Sequence, residues 1–411
     1  MKILWVKAGG LVPPDTGGKI RSHQILRELA RDHAVTLFSF YGRHANDSHS
    51  QLTEVFERVV TIPLDLPHPK SFGELCDYSL LMFTREPYNI SKYCRPRVRR
   101  ALGQLLGREK FDVIVCDFVI AAGAIPWEVP TPKVLFTHNV ESMIWKQHYQ
   151  LSRSLLWKLL SWREWQTMQT AERKYLGEAD HVLTVSEDDR RFFARFADPS
   201  KLSVVPTGVD NEFFSPVEQS ETANSLVFTG SMDWLPNEDG MIYFIKEILP
   251  LIRRELPEVS LTIVGRNPSK QLKDLAARTA NVQVTGWVED VRPFLSQAAV
   301  CVVPLRIGGG TRLKIFEAMS MGKAVVSTTI GAEGLPVHPE EHLMTADEPE
   351  QFATITVALL RDPARRCSMG LAARELVVKN YSWTKVAKQF ADILGELVAK
   401  SGQSRRLKAA T

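Results

Sequence analysis

The segment 304-PLRIGGGTRLKIFEAMSMGKAVVSTTIGAEGL-335 decides how this chain is read. It leaves the apolar run 300-VCVVPL-305 through three consecutive glycines. It then enters a stretch in which Ile315, Phe316, Ala318 and Met319 surround one carboxylate, Glu317, before Gly322 ends the pattern. An apolar strand, a glycine loop that lets a ligand approach the backbone, and a helix form one unit of a parallel α/β sheet. The free N–H groups and positive dipole end of such a helix suit phosphate. Arg312 and Lys314 add positive charge at that end, and an arginine fork grips two phosphate oxygens. Glu317, about one turn further on, is placed to accept hydrogen bonds from two neighbouring hydroxyls, as on a ribose. The segment thus matches one nucleoside diphosphate. In isolation, an exposed first turn for the two cations and a buried ion pair for Glu317 remain the alternatives.

The same alternation runs through the chain. Strand-like runs 2-KILWVKA-8, 34-AVTLFSF-40, 59-VVTIPL-64, 112-DVIVCDF-118, 133-KVLFTH-138 and 181-HVLTVS-186 are separated by helical spacings such as Ile20, Ile25, Leu26 and Leu29. A second series opens at 225-SLVFTG-230 and continues through 260-SLTIVG-265, 282-VQVTG-286, 300-VCVVPL-305 and 324-AVVST-328. Between them, 206-PTGVDNEFFSPVEQSETANS-225 is rich in turn formers and polar residues. The fold predicted is α/β, with two doubly wound, Rossmann-like parallel-sheet domains facing a central cleft. An N-terminal domain is expected over 1–205 and a second, nucleotide-binding domain over 206–380. A helix over 381–400 is expected to cross back to the first domain, followed by a frayed basic tail over 401–411.

The chain has 411 residues, too many for one ordinary core, which agrees with two domains. Apolar residues at 44% and charged residues at 24% describe a soluble globular protein, and a net charge of +4 argues against a dedicated nucleic-acid binder. No apolar run is long enough to span a bilayer, and the opening apolar stretch is too short for a signal peptide. The five cysteines show no metal-ligand spacing and read as free thiols in a reducing, cytoplasmic compartment. Neither a metal nor a cofactor is expected.

Several motifs, taken in order, resemble glycosyltransferase family 4, whose members have the GT-B fold. The match to 309-GGTRLKIFEAMSMGKAVVST-328 is accompanied by "PDTGGKIRSHQILREL", "FTHNVE", "VLTVSE", "VVPTGVDNEFF", "FTGSMDWLPNEDG", "LTIVG", "VTGWVEDVRPFLSQA" and "YSWTKVAKQF". Together they cover residues 1 to about 400. The resemblance implies retaining, metal-independent transfer of a sugar from a nucleotide-diphosphate donor, with a UDP-sugar favoured and GDP-mannose next. It implies donor contacts at Gly17, Gly18, Gly230, Ser231, Val288, Gly309, Gly310, Thr311 and Glu317. His138 is implied beside the donor sugar, and Arg312 and Lys314 on the leaving diphosphate.

The chain departs from the family pattern twice. The first Glu of the family's paired-Glu motif falls at Gly309. The Arg and Lys usual after the first strand of the second domain are replaced by a segment carrying Ser231 and Asn237. The phosphate-binding charge is therefore expected to have moved to Arg312 and Lys314. Asp117 reads as a cap, Asp290 as a helix cap, and Glu141 as a residue that orients His138 or binds acceptor. A nucleotide-sugar epimerase of the same architecture and a non-catalytic nucleotide-sugar-binding protein remain alternatives; a phosphorylase would need a pyridoxal-phosphate lysine site, which no segment resembles.

The acceptor expected is a glycan or lipid-linked sugar. The helical stretch 151–180 carries Trp157, Trp162 and Trp165 among Arg153, Lys158, Arg163, Arg173 and Lys174, and 92-KYCRPRVRR-100 adds charge. This composition suits either a peripheral contact with the inner face of a membrane or an amphipathic helix packing its tryptophans on the first domain.

Overall fold

The computed structural model describes residues 1–14, 16–42, 52–68, 71–152, 154–217, 221–307 and 313–410. It divides into two compact units, Met1–Pro206 with Trp383–Thr411, and Thr207–Ser382.

In the first unit the strands are β1 (Lys2–Ala8), β2 (Ala34–Gly42), β3 (Arg58–Leu64), β4 (Val113–Asp117), β5 (Lys133–Phe136), β6 (His181–Thr184) and β7 (Leu202–Val204). They form one parallel sheet in the order β3-β2-β1-β4-β5-β6-β7. Its helices are α1 (Gly17–Leu29), α2 (Phe72–Leu81), α3 (Tyr88–Tyr93), α4 (Pro96–Arg108), α5 (Glu141–Leu151), α6 (Leu155–Glu178) and α7 (Glu187–Phe193). Ile3 to Val6 are all fully buried, as expected of a strand covered by helices on both faces. The long helical stretch read from the sequence is interrupted at Ser152 and Ser154, and the Ser154 side chain accepts from the Trp157 amide and starts α6.

The second unit repeats the plan with β8 (Ser225–Thr229), β9 (Ser260–Val264), β10 (Val282–Gly286), β11 (Val300–Val303), β12 (Ala324–Ser327) and β13 (Met344–Thr345). The order is β10-β9-β8-β11-β12-β13, again all parallel. Around it lie α8 (Leu235–Tyr243), α9 (Leu249–Glu255), α10 (Lys270–Ala277), α11 (Arg292–Gln297), α12 (Leu313–Ser320), α13 (Pro349–Arg361) and α14 (Pro363–Asn380). On α12, Ile315, Phe316, Ala318 and Met319 are buried, which explains the apolar spacing around Glu317.

The last helix, α15 (Trp383–Ala410), belongs to the first unit. Phe390 packs against Trp5 and Phe136 at ring distances of 5.4 and 5.1 Å. Thr384 donates to Glu28 at 3.0 Å. The helix continues through 401–410, the residues read from sequence as a frayed tail.

Both sheets reverse their strand order once, between β1 and β4 and between β8 and β11. In open parallel sheets the crevice outside the carboxyl ends of the strands at such a reversal is where ligands bind. Residues directly following β1, β4 and β5, and those following β8 and β11, are therefore the ones positioned for chemistry.

Candidate active site

In the second unit the switch point is built around Gly230, the residue after β8. Its φ is +155°, and a Cβ there would lie 2.5 Å from Lys314 Nζ and 2.8 Å from Asn237 Nδ2. Only a glycine leaves that space open. Lys314, in the first turn of α12, donates to Asn237 Oδ1 at 2.7 Å, and its ammonium stands 3.9 Å from the Phe228 ring centre. Asn237 in turn donates to the Ser231 carbonyl at 2.7 Å. The structure thus brings Gly230, Ser231 and Lys314 together. The glycine loop residues Gly309, Gly310 and Thr311, with Arg312, lie outside the described residues.

Glu317 follows Lys314 by three positions on the same helix and is only partly exposed. Burial pushes its carboxyl up to about 7, and the nearby Lys314 opposes that rise. No hydrogen bond to its side chain is made by any described residue. A partly buried carboxylate to which no described residue donates is a place where a ligand's hydroxyls can supply the missing bonds. Val288 lies in the loop after β10, at the same end of the sheet, half-buried against the core. Asp290 accepts from the Arg292 amide at 2.9 Å and pairs with the Arg292 guanidinium, but the residue that caps α11 is Val291, so Asp290 stands one position ahead of the cap place expected of it.

The sequence reading missed one cation. Arg266, two residues beyond β9, donates to Ser231 Oγ at 2.9 Å, and Ser231 bonds Asp233 at 2.5 Å. Its position just past a strand end was the available signal. Among the described residues no group of three or more His, Cys, Asp or Glu stands within metal-binding reach.

In the first unit the switch point holds a buried polar network. Asp117 ends β4, is 1% exposed, and accepts from Trp5 Nε1 and Lys7 Nζ, both at 2.9 Å, while His138 Nε2 stands 2.6 Å from its other oxygen. The opposite ring nitrogen, Nδ1, is 2.9 Å from Arg21 Nη1. A guanidinium only donates, so Nδ1 accepts, and the imidazole is neutral with its proton at Nε2, donated to Asp117. Burial drives His138 down to about 4 despite the neighbouring carboxylate, with Arg21 and Lys7 adding to the drop. For Asp117, burial acts upward but Lys7 and His138 outweigh it, and the carboxyl stays well below its ordinary range. Burial also lowers Arg21 to about 10 against the pull of Asp189 and Asp117.

Asp117 is therefore not a cap, as the sequence reading has it: its oxygens take side-chain donors from β1 and from His138 rather than backbone amides of a following helix. His138, expected to offer a ring nitrogen to a sugar, has both nitrogens engaged by protein and is 7% exposed. Gly17 and Gly18 open α1, and a Cβ at Gly18 would stand 3.9 Å from His138 Nδ1, so the helix start and the histidine are neighbours. Glu141 sits against Glu172 instead of the His138 ring nitrogens. Burial first and Glu172 second raise Glu141 to about 7, and burial raises Glu172 to about 7 as well.

Comparison with known proteins closes the question of family. A family model described as Glycosyltransferase Family 4 matches residues 16–213, and one described as Glycosyl transferases group 1 matches residues 223–362. This chain belongs to glycosyltransferase family 4. It is an enzyme of the glycosyltransferase class with two parallel-sheet domains of the GT-B type.

The glycosyltransferase is 28% identical over 243 residues to the GDP-mannose-dependent monoacylated alpha-(1-6)-phosphatidylinositol monomannoside mannosyltransferase of Corynebacterium glutamicum, covering 54% of this chain and 64% of that protein. In fold it is similar to the sucrose-phosphate synthase of Thermosynechococcus elongatus, with a TM-score of 0.72 at 19% identity over the whole of both chains. It is also similar to Anabaena Alr3699/HepE, solved in complex with UDP-glucose, with a TM-score of 0.65 at 15% identity over 96% of this chain and all of that one.

Proposed function

We propose that this glycosyltransferase moves a sugar from a nucleoside-diphosphate donor to a glycan or lipid-linked acceptor in polysaccharide or glycoconjugate synthesis. The donor is a UDP-sugar in preference to GDP-mannose, and the anomeric configuration is retained. The observation that carries the reading is the pairing, on one helix, of a lysine against an open Gly230 with a glutamate that no described residue satisfies. The lysine suits the diphosphate and the glutamate suits the ribose hydroxyls. A corynebacterial relative named for GDP-mannose and a solved neighbour holding UDP-glucose support a nucleotide-sugar donor.

In this reading Lys314, with Arg312, takes the negative charge that develops on the leaving diphosphate as the glycosidic bond breaks. The departing phosphate oxygen is the base for the incoming acceptor hydroxyl, so the bond forms on the face from which the nucleotide leaves. The cations of the chain supply the charge compensation, and no metal enters the proposal. His138, with Gly17 and Gly18, forms the donor-sugar side, and contact of its ring with a sugar hydroxyl means exchanging the Arg21 donor for the ligand. Val288 and the backbone of Gly230, Ser231, Gly309, Gly310 and Thr311 complete the donor contacts. The enzyme works in the cytoplasm, at the inner face of the membrane.

The test is release of nucleoside diphosphate from UDP- and GDP-sugars, with and without membrane lipid and oligosaccharide acceptors. Acceptor-dependent release with an α-linked product from an α-linked donor supports the proposal. Conversion of the donor without any acceptor points instead to an epimerase, and tight nucleotide binding with no turnover on any pair points to a binding protein.

A further inference from the structure

Helix α2 is built inside out. None of its ten residues is buried, yet its sequence, 72-FGELCDYSLL-81, is apolar on one side. Phe72, Leu75, Cys76, Leu80 and, just beyond the helix, Phe83 follow a helical spacing and face outward, with Phe72 80% and Phe83 86% exposed. The polar side faces the protein. Glu74 pairs with Lys92 at 2.7 Å, Asp77 with Arg95 at 2.6 Å, and Tyr78 donates to Glu164 at 3.0 Å. These contacts fix the orientation, because rotating the helix to bury its phenylalanines would strand both carboxylates.

A second apolar surface adjoins it. Arg163 of α6 donates to the carbonyls of Met82 and Thr84 at 2.8 and 3.0 Å, which ties the end of α2 to the first turns of α6. Those turns expose Leu155, Leu156, Leu159 and Trp162. Contiguous exposed apolar surface of this kind marks an interaction face. Charge indicates what covers it. Residues 142–163, which include the tip of the α5–α6 hairpin, contain Lys146, Arg153, Lys158 and Arg163 and no acidic residue. Residues 87–108, which include α3 and α4, contain one lysine and five arginines and again no acidic residue. Lys92, Arg95, Arg99 and Arg163 are paired with Glu74, Asp77, Glu86 and Glu164, whereas Arg97, Arg100, Lys146 and Lys158 form no ion pair with a described residue. Large apolar side chains beside tryptophan and these remaining cations fit the boundary of an anionic bilayer.

We propose that the outward face of α2 and the first turns of α6 form a membrane-docking surface that inserts Phe72, Leu80, Phe83, Leu156 and Leu159 among anionic lipids. It deepens the proposed function by stating where a lipid-linked acceptor is met, and rests on that reading only for its purpose. Its test needs no sugar. Binding of the full chain to vesicles of phosphatidylcholine alone, and of phosphatidylcholine with phosphatidylglycerol, is measured by co-sedimentation at low and high salt. Parallel calorimetry with UDP and GDP reports whether the donor site is intact.

The wild-type chain should prefer the anionic vesicles and lose affinity as salt rises. Phe72→Ser with Leu80→Ser and Phe83→Ser should weaken binding by on the order of tenfold per residue and leave nucleotide affinity unchanged. Leu156→Ser with Leu159→Ser is measured alongside, so that a misfolded triple variant, recognised by lost nucleotide binding, does not decide the matter; it should weaken vesicle binding in the same way. Undiminished vesicle binding in these variants overturns the proposal. So does self-association of the wild-type chain in sedimentation equilibrium that the substitutions abolish, since the face would then bind a second copy. Loss of nucleotide binding in the wild type would sink the donor reading and leave this one standing.

Discussion

Glu317 titrates near neutrality, and this makes its ligand detectable by pH. A carboxylate that accepts two ribose hydroxyls binds best when ionised. With its carboxyl pushed up to about 7 in the empty protein, about a tenth of the molecules carry the charge at pH 6 and about nine-tenths at pH 8. The pH 8 to pH 6 ratio of nucleotide affinity should therefore be about 10, or roughly 1.4 kcal/mol. An ordinary carboxylate, ionised throughout that range, gives no such slope. The nucleotide's own phosphate also titrates there, so the measurement is a comparison of two proteins. Calorimetric affinities for UDP and GDP are taken at pH 6, 7 and 8 for the wild type and for Glu317→Gln. At pH 8 the Gln variant should bind roughly 10- to 150-fold more weakly, the worth of a charge-assisted hydrogen bond. At pH 6 that gap should shrink by about an order of magnitude, because the wild type is then mostly protonated. Parallel pH curves for the two proteins, or equal affinities at pH 8, would refute the ribose assignment.

Lys314→Ala should weaken UDP or GDP far more than uridine or guanosine in calorimetry; equal losses would take Lys314 off the phosphate. Gly230→Ala places a methyl group 2.5 Å from Lys314 Nζ and 2.8 Å from Asn237 Nδ2, at a φ of +155° that strains any L side chain, so Tm should fall and diphosphate affinity should drop about tenfold or more. His138→Ala removes one buried hydrogen-bond partner from each of Asp117 and Arg21 and should cost about 2–3 kcal/mol of stability in denaturant unfolding. If the ring also contacts the sugar, turnover measured well below the lowered Tm should fall ~100-fold with nucleotide affinity kept; intact turnover would make the residue structural. Glu172→Gln should raise Tm at pH 8 and leave it unchanged at pH 5. The sign follows from burial raising the folded-state carboxyl to about 7, so that stability falls as pH climbs from the ordinary carboxylate range through 7, and the amide removes that loss. An equal effect at both pH values would mean the carboxyl stays protonated or that packing dominates.

The strands were readable because each is a short apolar run covered on both faces, and two parallel sheets follow from their alternation with helices. Lys314 and Glu317 were readable together because three positions on a helix put them on one side, a relation that spacing alone encodes. The role of Asp117 was not readable. Its partners Trp5, Lys7 and His138 come from other strands, and only the assembled sheet order makes them neighbours. The same holds for Arg266, which reaches Ser231 because β9 lies beside β8. The tryptophans of α6 could be placed on a helix but not assigned inward or outward. For α2, periodicity gives an apolar side and a polar side, and the usual inference buries the apolar one. The salt bridges of Glu74 and Asp77 to distant residues reverse that choice.

The position of α15 has a consequence for the order in which the protein is made. Trp5 is made long before Phe390, and its ring waits for that later partner. Between them the whole second unit, Thr207–Ser382, is synthesised, and Val209 near its start pairs with Ser382 at its end. That unit has its own continuous chain and can close its core while its elder neighbour still exposes an aromatic face. A nascent chain thus carries a complete younger domain and an unfinished older one. Chaperone demand, proteolytic vulnerability and the harm done by a late stop codon should all concentrate on the domain that was translated first.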